Sequence, residues 1–196
     1  MPVCASNARK RKSVKRPAAN NMRKLILFII IILAVTVLDQ ATKLWAEANL
    51  VEGQTRQVWG DFFQVKLLYN EGGVMGSSLG GSTFYLISSL CVFAFVVYFL
   101  YVYRNLTIVA IPMCIIAGGA VGNIIDRIRL GQVVDFLDFD FFDISIGSFH
   151  LERWWTFNIS DAAISVGVVW LIIYLLFFYR APQTQEVASA EDSLSA

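Results

Sequence analysis

The sequence predicts an all-α membrane protein with four transmembrane helices, and three observations carry that prediction. Of 196 residues, 57% are hydrophobic and only 16% are charged, whereas an average soluble domain carries roughly a quarter charged residues. The apolar residues gather into four long runs, and those runs are joined by one tight turn and two longer mixed stretches. The length suits one domain, here residues 24–180 between a basic tail (1–23) and a polar tail (181–196). A net charge of +1 gives no global electrostatic case for nucleic acid as a partner.

The first 24 residues hold eight basic side chains, from Arg9 to Lys24. Such a block reads as a disordered cytoplasmic tail. Leu25 to Leu38 is an unbroken apolar run, but its 14 residues reach only about 21 Å of the ~30 Å hydrocarbon core. The helix must therefore continue to Trp45, through Asp39, Gln40, Thr42 and Lys43. Asp39 and Lys43 stand at i and i+4 and share a face, so they can pair. Ala46-Glu47-Ala48 has the form of a signal-peptide cleavage site, but a leader of that length with charges between core and site is not expected to be cut.

Val58 to Tyr69 places Phe63, Val65, Leu67 and Tyr69 on alternate positions, which reads as one or two short strands. Asn70-Glu71-Gly72-Gly73 follows as a turn. Ser82 to Tyr103 is the second membrane segment, and Arg104-Asn105 is a tight connection. Leu106 to Ile125 is the third, with Gly118 and Gly122 spaced for close helix packing. Residues 127–155 mix aromatic and charged side chains and read as an interfacial segment along the membrane surface. Phe157 to Tyr179 is the fourth segment.

Four crossings put both termini and the 104–105 turn on one side. That side carries 10 of the 16 Lys and Arg residues, which assigns it to the cytoplasm. Cys4, Cys91 and Cys114 make no CxxC pair and read as unpaired thiols. The single histidine, His150, rules out a His-rich metal cluster and reads as an interfacial polar residue.

Two four-residue units share one spelling, Asn123-Ile124-Ile125-Asp126 and Asn158-Ile159-Ser160-Asp161. The first ends one apolar segment and the second begins the next. Successive helices run antiparallel, so both carboxylates are expected on one side of the bilayer, at the extracytoplasmic edge. Two carboxylates in close company do not both ionise easily, so such a pair supplies an acid and a base together. From spacing alone, three readings stand: aspartic catalysis, helix capping and ion pairing, or proton transport. Asp161 lies in a first turn, where the helix dipole favours it, and Asp126 lies at a helix end, where Arg127 is a ready partner.

Asp39-Gln40-x-x-Lys43, Asn70-x-Gly72 with Gly76, Gly122-Asn123-x-x-Asp126-Arg127, Gly131-x-Val133-x-Asp135-Phe136 and Phe157-Asn158-x-x-Asp161 follow one another in order. In that order and spacing the chain resembles the bacterial lipoprotein signal peptidases, over about residues 24–180. The resemblance implies an intramembrane aspartic endopeptidase of the bacterial inner membrane that needs no cofactor and no metal. It would cut the signal peptide from a diacylglyceryl-modified prolipoprotein before the lipidated cysteine. The expected partners are that substrate and membrane lipid, and the enzyme is expected to act as a monomer.

By the same resemblance Asp126 and Asp161 match the catalytic dyad, with Asn123, Arg127 and Asn158 as a polar shell. Asn70 matches a substrate contact, and Asp39, Lys43 and Asp135 match supporting positions. The implied fold adds a small extracytoplasmic β-sheet cradle and a surface helix, to which the 58–69 and 127–155 stretches are assigned. Three residues depart from the family pattern. Met75 stands where Phe is usual, Trp155 where Pro is frequent, and Ser160 where Ala is common, adding a hydroxyl expected to bond locally.

Overall fold

The computed structural model of the protein describes residues 18–71, 81–140, 144–146, 149–151 and 155–179. Four α-helices, α1 (Ala18–Asn49), α2 (Gly81–Tyr103), α3 (Thr107–Leu130) and α4 (Ile159–Phe177), are joined by five strands. Each helix is long and apolar enough to cross a membrane. Strands β1 (Thr55–Trp59), β2 (Phe63–Asn70) and β3 (Val133–Phe139) form one antiparallel sheet in that order. A separate antiparallel hairpin pairs β4 (Ile144–Ile146) with β5 (Phe149–Leu151).

Helix α3 is the centre of the bundle. Two-thirds of its apolar window is buried, against about a tenth or less for each of the other three. Its small residues let the neighbours come to backbone contact, the packing mode that works where lipid removes any hydrophobic drive between helices. A Cβ on Gly118 would meet the Ile32 carbonyl of α1 at 2.9 Å, and one on Gly119 would meet the Ser160 carbonyl of α4 at 2.6 Å. Gly122 faces Asp39 and the Ser160 hydroxyl with no room for a side chain.

Gly131, in the left-handed region at φ 74°, ends α3, and its N–H donates to the Arg127 carbonyl. That cap turns the chain directly into β3. The sheet is then fastened to the bundle twice. Ala46 of α1 packs with Leu67, Val134 and Phe136 in a buried cluster. The Phe157 carbonyl, just before α4, accepts the N–H groups of both Phe136 and Leu137.

Three expectations need adjustment. Helix α1 begins at Ala18, within the stretch assigned to the tail. Helix α3 runs past Ile125 to Leu130, so Asn123, Asp126 and Arg127 are all helical. The surface helix assigned to 127–155 is not found among the described residues of that stretch, which are the end of α3, strand β3 and the β4–β5 hairpin. The Asn70–Gly73 turn and Met75 fall largely outside the described residues. Among those residues Cys91 and Cys114 are free thiols, as expected.

Candidate active site

Five segments converge at one end of the bundle. Helix α1 contributes Asp39, Gln40 and Lys43, and α3 contributes Asn123, Asp126 and Arg127. Asn70 comes from the end of β2, Asp135 from β3, and Asn158 and Asp161 from the entry to α4.

Lys43 is fully buried and lies 2.8 Å from both Asp39 Oδ2 and Asp126 Oδ2. It also donates to Asn123 Oδ1 at 2.9 Å. Three acceptors surround an ammonium group with three N–H bonds, so its donor capacity is filled. Asp39 Oδ1 accepts the Ser160 N–H at 2.8 Å.

Asp126 is equally enclosed. Its Oδ1 accepts the Gln40 amide at 3.0 Å, and its Oδ2 accepts the Val134 N–H at 3.2 Å besides the Lys43 pair. It has no solvent exposure. The expected sharing of a hydrogen between Asp126 and Asp161 is not seen, because every bond of Asp126 goes to these groups and to Arg129 at 3.9 Å.

Asp161 is half-buried. Its Oδ1 accepts the Asn123 amide at 2.9 Å, and its Oδ2 accepts the Asn158 N–H at 3.2 Å. The Asp161 N–H donates in return to Asn158 Oδ1 at 3.0 Å. This reciprocal pair is a capping box that opens α4, so the capping reading of this unit is correct in structural terms. It leaves the carboxylate partly open and fixed at the positive end of the helix.

Asn158 also reaches the third carboxylate. Its Nδ2 donates to Asp135 Oδ1 at 2.7 Å, while Asn70 Nδ2 donates to Asp135 Oδ2 at 3.0 Å. Burial pushes the Asp135 carboxyl up to about 7, and the neighbouring Asp161 charge adds to the rise. The amides of Asn70 and Asn158, and the charge of Lys43, work against it. A carboxyl near neutrality beside a second carboxylate is the arrangement that divides acid and base roles between like groups. Arg127 donates to the Asn123 carbonyl at 3.4 Å and lies within electrostatic reach of Asp161, Asp135 and Asp126.

All nine residues singled out from the sequence thus belong to one connected polar network. Three members had no assigned part. The Gln40 amide donates to Asp126, to Asp39 Oδ2 at 3.3 Å and to the Gly122 carbonyl at 3.1 Å. Its place in the Asp39–Lys43 motif was the available signal. The Val134 and Ser160 N–H groups are backbone donors and leave no mark in a sequence. The Ser160 side chain departs from expectation, since its hydroxyl is buried with no hydrogen-bond partner among the described residues.

A family model described as signal peptidase (SPase) II matches residues 31–177. A lipoprotein signal peptidase of Cupriavidus necator is 37% identical over 166 residues, covering 81% of this chain and 90% of the relative. One from Clostridioides difficile is 34% identical over 153 residues, covering 78% and 97%. Among solved structures, a bacterial membrane enzyme determined at 1.9 Å by the in meso method is similar at 30% identity with a TM-score of 0.65. The match covers 78% of this chain and 94% of that one.

Proposed function

The chain belongs to the signal peptidase II family, and from that premise we propose that it is an intramembrane aspartic endopeptidase whose dyad is Asp135 and Asp161. Its substrate is a diacylglyceryl prolipoprotein, cut before the lipidated cysteine. The observation that carries the reading is Asn158, which donates to Asp135 through its side chain and to Asp161 through its backbone.

This choice replaces Asp126, which the sequence favoured. A carboxylate enclosed by Lys43, Gln40 and the Val134 N–H has no open face for a substrate. Asp126 and Asp39 act instead as counter-ions of Lys43, a positioning core that aligns Asn123 toward Asp161.

In the proposed reaction Asp135 carries the proton at rest and Asp161 is the base. Asp161 takes a proton from water as the water oxygen attacks the scissile carbonyl carbon. Asp135 gives its proton to the carbonyl oxygen, forming a tetrahedral gem-diol. Asp161 then returns its proton to the leaving amine as the C–N bond breaks. The gem-diol keeps one hydroxyl as the new carboxyl group and passes the other proton back to Asp135. Arg127 and the Asn70 amide are placed to hold the substrate backbone.

The dyad sits at the membrane edge opposite the basic N-terminal tail, so the substrate enters from the lipid with its acyl chains still in the bilayer. The termini are cytoplasmic, the site is extracytoplasmic, and one chain is sufficient for cleavage.

The test compares Asp135→Asn, Asp161→Asn and Asp126→Asn by gel shift of a lipidated precursor in membranes. The first two should stop cleavage while inserting normally. Asp126→Asn, which disturbs only the positioning of Asn123, should lower cleavage per folded molecule without stopping it. Normal processing by an inserted Asp135→Asn variant would overturn the assignment.

A further inference from the structure

At the opposite end of the bundle a cleft of about 420 Å³ opens between α1 and α2, within the ~300–1,000 Å³ range of ligand sites. Both helices pack on α3. Phe28 of α1 packs on Ala110 and Cys114 of α3, and Leu100 of α2 joins the same cluster. Ile29 and Ile32 continue one wall and Val97 the other.

The mouth is cationic. Lys24 and Arg104 line it beside the amides of Asn21 and Asn105, and among the described residues no acidic side chain lines it. Lys24 Nζ reaches only the Asn105 carbonyl, at 3.5 Å. Arg104 donates to the Tyr101 carbonyl at 2.8 Å and lies 4.2 Å from the centre of that ring. Among the described residues neither cation has a carboxylate partner.

The dimensions follow from helix geometry. Lys24 to Ile32 spans about 12 Å along the axis, close to the ~15 Å of hydrocarbon in one leaflet. The apolar trough therefore runs as deep as an acyl chain, with the charges at headgroup level. A basic pocket between helices on the cytoplasmic side suits a lipid phosphate.

We propose that this cleft holds one anionic glycerophospholipid of the membrane. Its phosphate lies against Lys24 and Arg104, and one acyl chain lies along Ile29, Ile32 and Val97. A zwitterionic lipid is disfavoured, because its own ammonium group would approach two uncompensated cations. The leaflet rests on the cytoplasmic assignment of the termini, while the lipid class rests on the cleft alone.

The experiment is native mass spectrometry of the full chain in non-ionic detergent, titrated with phosphatidylglycerol or with phosphatidylcholine of identical acyl chains. Phosphatidylglycerol should be retained at least tenfold better. Lys24→Gln with Arg104→Gln should remove that preference, and Val97→Trp, which fills the trough, should lower retention of both lipids. Equal retention by the wild type, or unchanged preference in the double variant, would overturn the proposal. So would displacement of the lipid by millimolar inorganic phosphate, which would mark a plain anion site, or dimerisation that abolishes lipid retention. Val97→Trp keeps the test open where the double variant is not recovered. Cleavage of precursor, read in parallel, should be unchanged in all variants, so failure here is distinguishable from failure of the peptidase reading.

Discussion

Lys43 Nζ lies 2.8 Å from Asp126 Oδ2, and neither side chain is exposed. The same ammonium holds Asp39 at 2.8 Å, so a single cation is shared by two buried carboxylates. Removing one partner of a buried pair leaves an uncompensated charge and costs about 3–5 kcal/mol, whereas removing both is far milder. Lys43→Met should therefore yield little folded protein by thermal unfolding in detergent. Lys43→Met combined with Asp126→Asn should recover part of the loss. A single variant as stable as wild type would contradict this account of the pair.

The Asp135 carboxyl, raised to about 7 chiefly by burial and next by Asp161, gives a pH dependence with a definite sign. As the proton donor, it should lose activity as pH rises through about 7, so kcat/KM falls on the alkaline side. Stability moves the same way. The folded carboxyl binds its proton more tightly than the unfolded one, so its stabilising contribution is complete below about 4 and fades as pH climbs through about 7. Asp135→Asn should flatten the stability profile across that window, measured by unfolding midpoints at several pH values.

Asn158 lowers the Asp135 carboxyl through its hydrogen bond, and it caps α4. Asn158→Ala should shift the alkaline limb of residual activity to higher pH. Loss of the cap should also reduce stability by about 0.5–2 kcal/mol. A pH–rate profile that drops in height without moving would separate Asn158 from Asp135.

Ser160 buries a hydroxyl with no partner among the described residues, and an unsatisfied buried polar group costs about 1–3 kcal/mol. Ser160→Ala should raise the unfolding midpoint and leave the Asp39 bond to the Ser160 N–H in place. A lower midpoint would show that the hydroxyl has a partner in the membrane-embedded protein.

Gly122 faces Asp39 and the Ser160 hydroxyl at a spacing that admits no Cβ. Gly122→Ala should push α3 away from both neighbours, with an overpacking cost of about 1–3 kcal/mol and a larger loss of cleavage than that stability change accounts for. Comparison of folded yield with specific activity checks this.

The four helices were legible because apolar runs of the right length have few alternatives. The end of α3 was not. Asn123, Asp126, Arg127 and Arg129 break the hydropathy, yet the backbone stays helical until Gly131 caps it. Strand β3 escaped notice because it is buried on both faces from Val133 to Phe136, which erases the alternation that marks a half-exposed strand.

The site's membership was readable, but its partition was not. The repeated Asn-x-x-Asp spelling drew attention to Asp126. What argues for a different part is an ion pair from another helix, and sequence spacing carries no trace of that contact.

Asp161 stands on the third residue of the last helix, whereas Asp39, Lys43, Asn70, Asn123 and Asp135 all precede it in the chain. Biosynthesis runs from α1 to α4, so a partly made chain still leaving the ribosome lacks the proposed base. On that proposal the proteolytic centre closes only when α4 has been delivered into the bilayer. Until then, the nascent enzyme has no means of cutting the membrane proteins being inserted beside it.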